Sequence, residues 1–142
     1  MVLTALYLYL NNYVTKHPEN KVATSSTIAK LSAADATASL PETAVSEAVT
    51  NCIVHAYPER LGNITLRCRI LKDNVLDIVV KDKGIGITDI EQAMRPMYTT
   101  GGSDRSGMGF TIMESFMTTF SVTSTPGKGT CVHMRRKLQR RK

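Results

Sequence analysis

One short motif, Asp82-x-Gly84-x-Gly86, combines residues that could bind a flat polar ligand, and it follows the mostly apolar run 75–80. Glycine allows positive φ angles and leaves no Cβ between the main chain and a ring or a phosphate. Asp82, at the end of the predicted strand, can present a carboxylate to an amino group. The same pattern also occurs in ordinary loops, and it lacks the spacing of a dinucleotide site or a P-loop. The motif therefore needs support from its neighbours.

A second group of polar side chains lies on the helix predicted before this strand. Glu47, Asn51 and His55 are spaced i, i+4 and i+8, so they share one helix face. Such a face usually meets only solvent. It could instead place the amide oxygen of Asn51 on a divalent cation, with Glu47 one turn earlier as a proton acceptor. Magnesium on phosphates commonly takes only one or two protein ligands, so one asparagine is sufficient. We assign no role to His55.

Two further motifs could meet an anion and a base. Arg105 precedes Gly107-x-Gly109, and such a pair of glycines at a helix start exposes backbone N–H groups to an anion. Arg105 would add a permanent charge and a planar fork suited to phosphate oxygens. The alternative is a flexible glycine loop that caps a helix. The segment 127–130 is either a simple hairpin turn or a means of placing the Thr130 hydroxyl near the base of a nucleotide.

The elements that must position these groups alternate between sheet and helix. Apolar patterning and turn residues predict strands at 2–10, 64–71, 75–80, 120–124 and 130–136, and helices at 19–31, 41–56, 89–94 and 108–116. Pro41 fits the first turn of the second helix, Thr88 can cap the third, and residues 72–74 form a hairpin turn. The polar segment 96–106 is predicted to be a mobile lid. This order predicts a two-layer α/β sandwich, with a mixed, mostly antiparallel sheet and helices on one face.

Composition limits the classes of function. The chain has 142 residues, 42% hydrophobic and 21% charged, which favours one domain at 1–136 followed by a basic tail at 137–142. No apolar run approaches ~20 residues, so no membrane span is expected. The net charge is +6, but six of the basic residues lie within 135–142, so nucleic-acid binding depends on the tail alone. The three cysteines fit no metal-ligand spacing and are predicted to be reduced core thiols, which favours the cytoplasm.

In their order and spacing, the four motifs resemble the ATPase superfamily of gyrase, histidine kinases and mismatch-repair proteins. The segments 46–51 (SEAVTN) and 105–114 (RSGMGFTIME) are more closely similar to the anti-sigma-F factors of endospore-forming bacteria, and the similarity extends from about residue 43 to 136. This resemblance implies the histidine-kinase-like ATPase fold. It also implies a protein kinase of the non-specific serine/threonine type that holds a sporulation sigma factor inactive and phosphorylates an anti-anti-sigma protein on serine.

The resemblance also implies a role for each position. Asn51 would hold magnesium, Glu47 would be the general base, and Arg105 would act in catalysis at the terminal phosphate. Asp82 would accept a hydrogen bond from the adenine amino group, and residues 96–106 would sense ADP versus ATP. The residues implied to bind ATP or ADP are Asn51, Asp82, Gly84, Gly86, Thr99, Thr100, Arg105, Ser106, Gly107, Met108, Gly109, Phe110 and Thr130.

The implied partners are a sporulation sigma factor, the anti-anti-sigma substrate and a second copy of the chain, because the edge of strand 2–10 could pair with its equivalent. Neither direct DNA binding nor a membrane is expected. The sequence departs from the family before residue 43, where Lys21 stands in place of a partner-facing arginine. Lysine keeps the charge but not the bidentate fork, so the partner surface is less well predicted than the nucleotide site.

The alternative function is a nucleotide-gated binding module, or a sensor-kinase-type ATPase domain, with little kinase activity. A sensor kinase would need a dimerisation helix with a phospho-acceptor histidine, and His17 and His133 are poorly placed for that role. Glu47 beside Asn51 favours phosphorylation of serine or threonine.

Overall fold

The computed structural model describes residues 39–58, 60, 62–98 and 107–138. Several predictions lie outside these residues. They are the strand at 2–10, the helix at 19–31, Lys21, the part of the lid at 99–106, and residues 139–142 of the tail.

Four strands form an antiparallel sheet in the described residues, in the order β1-β2-β4-β3. The strands are β1 (Ile64–Leu71), β2 (Val75–Asp82), β3 (Thr119–Thr125) and β4 (Gly129–Lys137). Both predicted hairpins, β1–β2 and β3–β4, are present, and β2 pairs with β4 to join them. In the turn between β1 and β2, Asp73 and Asn74 have φ angles of 62° and 56°, the left-handed conformation typical of a tight hairpin.

The helices lie on one face of this sheet. They are α1 (Ser39–Asn51), which continues as a π-helical turn (Cys52–Ala56), α2 (Ile90–Ala93) and α3 (Gly109–Phe116). The prediction that Thr88 caps α2 is wrong: the carboxylate of Asp89 accepts a hydrogen bond from the N–H of Gln92 at 2.9 Å. Asp89 directly precedes the first helical residue, and only from there can a side chain reach the third N–H of the helix. In the described part of the chain, none of these helices is long and apolar enough to span a bilayer.

The core lies between these helices and the inner face of the sheet. Its buried members are Ala44, Val45, Ala48, Val49, Cys52, Ala56, Ile64, Leu66, Leu76, Ile78, Val80, Met113, Met117, Val132, Met134 and Leu138. Alternate strand residues point inward as predicted, which confirms the α/β sandwich. Ile70 is an exception: its alternation predicted burial, but it is 47% exposed because it lies at the turn end of an outer strand of the described sheet.

The outer face of the sheet holds a buried carboxylate among cations. Asp77 on β2 is inaccessible to solvent, and it lies directly opposite Arg69 on β1 and Arg135 on β4. Both guanidinium groups donate to it at 2.8 Å, and Nε2 of His133 lies 2.6 Å from Oδ1. Burial alone would raise the pKa of Asp77, but the hydrogen bonds from His133, Arg135 and Arg69 outweigh it and lower the pKa well below its usual range. The cluster ties three neighbouring strands together.

Candidate functional site

A cavity of about 420 Å³ opens between α1, α3 and the loop that follows β2. This volume is within the range of small-molecule sites. The predicted site residues that line it are Glu47, Asn51, Asp82, Gly86, Gly107, Met108, Gly109, Phe110 and Thr130. The four sequence motifs, though far apart along the chain, therefore meet around one cavity.

One end of the cavity, which we call the Asp82 end, is formed by Asp82, Cys52 and Thr130. Asp82 is only 3% exposed. Its Oδ1 accepts hydrogen bonds from the N–H groups of Gly84 at 2.9 Å and Thr130 at 3.2 Å. Its Oδ2 accepts from the thiol of Cys52 at 3.4 Å. Hydrogen bonds to an ionised acceptor are the stronger kind, so this carboxylate is held firmly in place.

The loop after β2 is fixed between the π-helical turn and the β3–β4 hairpin. The N–H of Ile85 donates to the carbonyl of Ala56 at 2.9 Å, and the N–H of Gly127 donates to the carbonyl of Ile85 at 2.7 Å. Further along, the N–H of Ile87 donates to Oγ of Ser124 at 2.7 Å. The main chain of this loop therefore has partners on two sides before any ligand binds.

Gly84 and Gly86 permit this close packing. A Cβ on Gly84 would lie 2.1 Å from the carbonyl oxygen of Ala56, a distance that no side chain allows. Gly86 has a φ of +73°, and a Cβ there would lie 2.4 Å from the carbonyl oxygen of Thr125. Gly84 is the one predicted glycine in the described residues that does not line the cavity. Its role in this structure is the contact between the loop and the π-helical turn.

The other end of the cavity, which we call the Glu47 end, is formed by Glu47, Asn51 and the start of α3. A Cβ on Gly109 would lie 3.1 Å from Oε2 of Glu47 and 3.3 Å from Nδ2 of Asn51. The missing side chain thus lets the first residue of α3 approach both polar groups. Gly107 has a φ of +68° and accepts a hydrogen bond from the N–H of Met97 at 3.0 Å. A carboxylate and an amide therefore lie beside the N-terminus of a helix.

These two ends suit different chemical groups. The N-terminus of α3 is favourable for an anion, and the oxygen of Asn51 is a suitable ligand for a hard cation. Among the described residues there is no group of three or more His, Cys, Asp or Glu that could hold a metal ion. A cation at Asn51 would therefore need a bound phosphate and water for its other ligands. Asp82, in contrast, can accept a hydrogen bond from a ligand N–H group.

Of the lining residues on the helix that sequence analysis did not assign to the site, Cys52 and His55 are the two that can form side-chain hydrogen bonds. His55 shares the predicted polar face with Asn51, so the spacing itself was a signal. Cys52 was predicted to be only a core thiol, and it is indeed 5% exposed. The π-helical turn begins at Cys52, and nothing in the local sequence indicates this wider winding, which is frequent at functional sites.

Four predicted ligand residues lie outside the described part of the chain. They are Thr99, Thr100, Arg105 and Ser106.

Comparison with known proteins bears on the family and the fold of the chain. Residues 20–136 match the family model of the histidine kinase-like ATPase domain. The chain is 55% identical over 100 residues to the anti-sigma F factor of Caldanaerobacter subterraneus subsp. tengcongensis, which covers 70% of this chain and 69% of that one. It is 53% identical over 94 residues to the anti-sigma F factor of Thermoanaerobacter sp. strain X514, which covers 66% and 65%. A solved structure, the catalytic domain of histidine kinase ThkA, has a similar fold, with a TM-score of 0.67 at 13% identity over 96% of this chain and 90% of that one.

Proposed function

Because the chain belongs to the histidine kinase-like ATPase domain family, and within it to the anti-sigma F factors, we propose that it is an ATP-dependent serine protein kinase that also holds a sporulation sigma factor inactive. Its substrate would be a serine of an anti-anti-sigma protein. The observation that carries this proposal is the single cavity that joins Asp82, Asn51 and Glu47. One end suits a purine amine, and the other suits a phosphate with its cation and a proton acceptor.

At the Asp82 end we assign base recognition. Oδ1 of Asp82 is occupied by two backbone donors, so Oδ2 is the oxygen that would accept a hydrogen bond from the adenine amino group. Thr130, the second residue of β4, lines the cavity beside Asp82 and would lie near the base. Gly86 allows the main chain to run close along the ring.

At the Glu47 end we assign phosphate binding. The N–H groups at the start of α3, in the segment 107–110, would meet the phosphate oxygens, and Asn51 would hold magnesium. When bound, magnesium neutralises negative charge on the phosphates. Arg105 would contact the terminal phosphate, and Thr99, Thr100 and Ser106 would complete the lid, whose closure would depend on whether ATP or ADP is bound.

Glu47 would act as the general base. In the transfer step the serine hydroxyl oxygen forms a bond to the γ-phosphorus, and the bond from that phosphorus to the leaving oxygen of ADP breaks. The hydroxyl proton passes to the carboxylate of Glu47. Catalysis would then consist of positioning and electrostatic stabilisation, as is general for phosphoryl transfer.

The wider biology also belongs to this proposal. A second copy of the chain would form a homodimer through the strand predicted at 2–10. The sigma factor would bind the ATP-bound form, and the protein would work in the cytoplasm. No described contact bears on these interfaces, so they depend on the family relationship.

The test is transfer of label from γ-labelled ATP, in the presence of magnesium, to a purified anti-anti-sigma protein. We expect label on one serine, and none when that serine is replaced by alanine. In parallel, sigma-factor binding is measured with ATP and with ADP. If sigma-factor binding depends on nucleotide but no label is transferred, the chain is a nucleotide-gated binding module and not a kinase. If ATP does not bind at all, the assignment of the cavity is wrong.

A further inference from the structure

Cys52 occupies an unusual place in the cavity. It is the first residue of the π-helical turn, it lines the cavity, and it is 5% exposed. Its sulfur lies 3.4 Å from Oδ2 of Asp82. In this contact the thiol is the donor and the carboxylate, which has only acceptor sites, is the acceptor.

The hydrogen bonds of Asp82 are divided unevenly between its two oxygens. Both backbone donors, from Gly84 and Thr130, reach Oδ1. They hold that oxygen, and neither of them donates to Oδ2. Within the described residues, the side-chain donor to Oδ2 is Cys52. The thiol is therefore the side-chain group among these residues that contacts Oδ2 directly and can hold it against movement when a ligand binds.

We propose that Cys52 is a positioning residue for base recognition, whose thiol holds Oδ2 of Asp82 in the direction of the exocyclic amine of a 6-aminopurine. This inference depends on the proposed function, because it assumes that adenine lies at the Asp82 end. A carboxylate oxygen can accept from two donors, so the thiol and the amine can share Oδ2. Cys52 would thereby increase the preference for ATP over a purine nucleotide that lacks the amine.

The experiment compares ATP with purine riboside 5′-triphosphate, in which hydrogen replaces the 6-amino group. Dissociation constants are measured by calorimetry for the parent protein and for Cys52→Ala, Cys52→Ser and Cys68→Ala. Cys68 is a matched control, because it is a partly buried cysteine packed against the same core but does not line the cavity. Cys52→Ser replaces the thiol by a hydroxyl, which is also a hydrogen-bond donor. It therefore still tests the proposal if Cys52→Ala does not fold.

We expect Cys52→Ala to weaken ATP binding by about threefold to tenfold, the loss of one modest hydrogen bond, with less than a twofold change for the nucleotide without the amine. Cys52→Ser should retain the parent preference for ATP, and Cys68→Ala should change neither constant. In the kinase assay, Cys52→Ala should raise the KM for ATP and leave kcat unchanged.

An equal loss of affinity for both nucleotides in Cys52→Ala would overturn the proposal, since it would make Cys52 a space-filling core residue. Unchanged affinity for both nucleotides in Cys52→Ala would overturn it too. So would a stronger preference of Cys52→Ala for ATP over the nucleotide without the amine, which would mean that the thiol competes with the amine. If the parent protein transfers label from ATP and Cys52→Ala gives one of these results, only the role of Cys52 is wrong. If the parent protein binds neither nucleotide, the proposed function itself is wrong.

Discussion

The Asp82 end and the Glu47 end of the cavity are built from different parts of the chain. At the Asp82 end the carboxylate is held by two backbone N–H groups and a thiol, and the adjacent loop is hydrogen-bonded on both sides. At the Glu47 end two side chains from successive turns of α1 lie beside Gly109 at the start of α3. At the Asp82 end the polar side chain is held by main-chain donors, whereas at the Glu47 end two polar side chains project from one helix toward the start of another.

This difference indicates how each end responds to substitution. Main-chain donors at the Asp82 end cannot be removed one at a time without disturbing the fold, so recognition and stability are coupled there. Side chains at the Glu47 end can be exchanged while α1 and α3 stay in place. We therefore expect substitutions at the Glu47 end to reduce phosphoryl transfer alone. Substitutions at the Asp82 end should reduce nucleotide binding and the free energy of unfolding together.

The largest effect is expected at the Glu47 end. Glu47→Gln keeps the size and hydrogen bonding of the side chain but cannot take a proton. Phosphorylation of the substrate serine should fall by roughly 10²–10⁴-fold, the usual contribution of a positioned general base. ATP should still bind within a few-fold, and sigma-factor binding should survive. Glu114→Gln, an exposed position on α3, is the control and should keep the parent rate. A parent rate in Glu47→Gln would place the base elsewhere, and loss of ATP binding would make Glu47 part of the binding site.

A second test weakens the Asp82 end. Asp82→Asn replaces an anionic acceptor by an amide that also presents a donor to the adenine amine. Loss of this hydrogen bond in a buried position should cost about 1–3 kcal/mol of ATP binding, or roughly 5- to 150-fold in affinity. Because the same side chain accepts from Gly84 and Thr130, the free energy of unfolding should fall as well. Calorimetry and chemical denaturation would measure the two losses, and an unchanged ATP affinity would exclude the adenine role.

The third test changes the loop after β2 at Gly84, a residue that does not line the cavity. Gly84→Ala should lower the free energy of unfolding by about 1–3 kcal/mol, because its Cβ would overlap the main chain at Ala56. ATP affinity should fall with it, although Gly84 does not line the cavity. Gly127→Ala is the control: its φ is +78°, and within the described residues, its chain neighbours aside, no atom lies within 4 Å of the added Cβ, so the backbone cost of roughly 1–2 kcal/mol is what we expect there. Full ATP affinity in Gly84→Ala would show that the loop is not coupled to the site.

The smallest effect is expected on the outer face of the sheet, away from both ends. The folded-state pKa of Asp77 is lowered, so its contribution to stability is present above its unfolded pKa of about 4 and is lost as pH falls through the folded value. Asp77→Asn should cost only about 1 kcal/mol at neutral pH, because solvent screens the partners Arg69 and Arg135, which are about half exposed. Unfolding curves from pH 7 to 2 should show a shallower loss of stability in the variant, with ATP affinity unchanged at neutral pH. A change in that affinity would mean that the outer face communicates with the cavity.

Much of the fold was predictable because β1 alternates clearly, β2 begins as a mostly apolar run, and glycine or proline lies in the segments beside several strand ends. The motif at residues 82–86 and the polar face of α1 were likewise visible in the spacing of their residues. The π-helical turn was not, because nothing in its local sequence indicates the wider winding, and its contact with the loop, where the carbonyl of Ala56 accepts from the N–H of Ile85, joins residues far apart along the chain. The position of Cys52 beside Asp82 was hidden for the same reason. Local sequence indicates which residues are polar or apolar, but only tertiary contacts show that a core thiol lies beside a carboxylate.

The place of β4 in the sheet has a consequence for how the chain folds during synthesis. Strand β2 obtains one neighbour from its own hairpin, but the other is β4, the last strand described. Chains emerge from the ribosome N-terminal end first, so Asp82 appears well before Thr130, which supplies one of its donors. Until β4 inserts between β2 and β3, the inner face of the first hairpin and α1 lack part of their apolar cover. A nascent chain that ends before Gly129 would therefore lack the part of the cavity wall that Thr130 and Val132 supply.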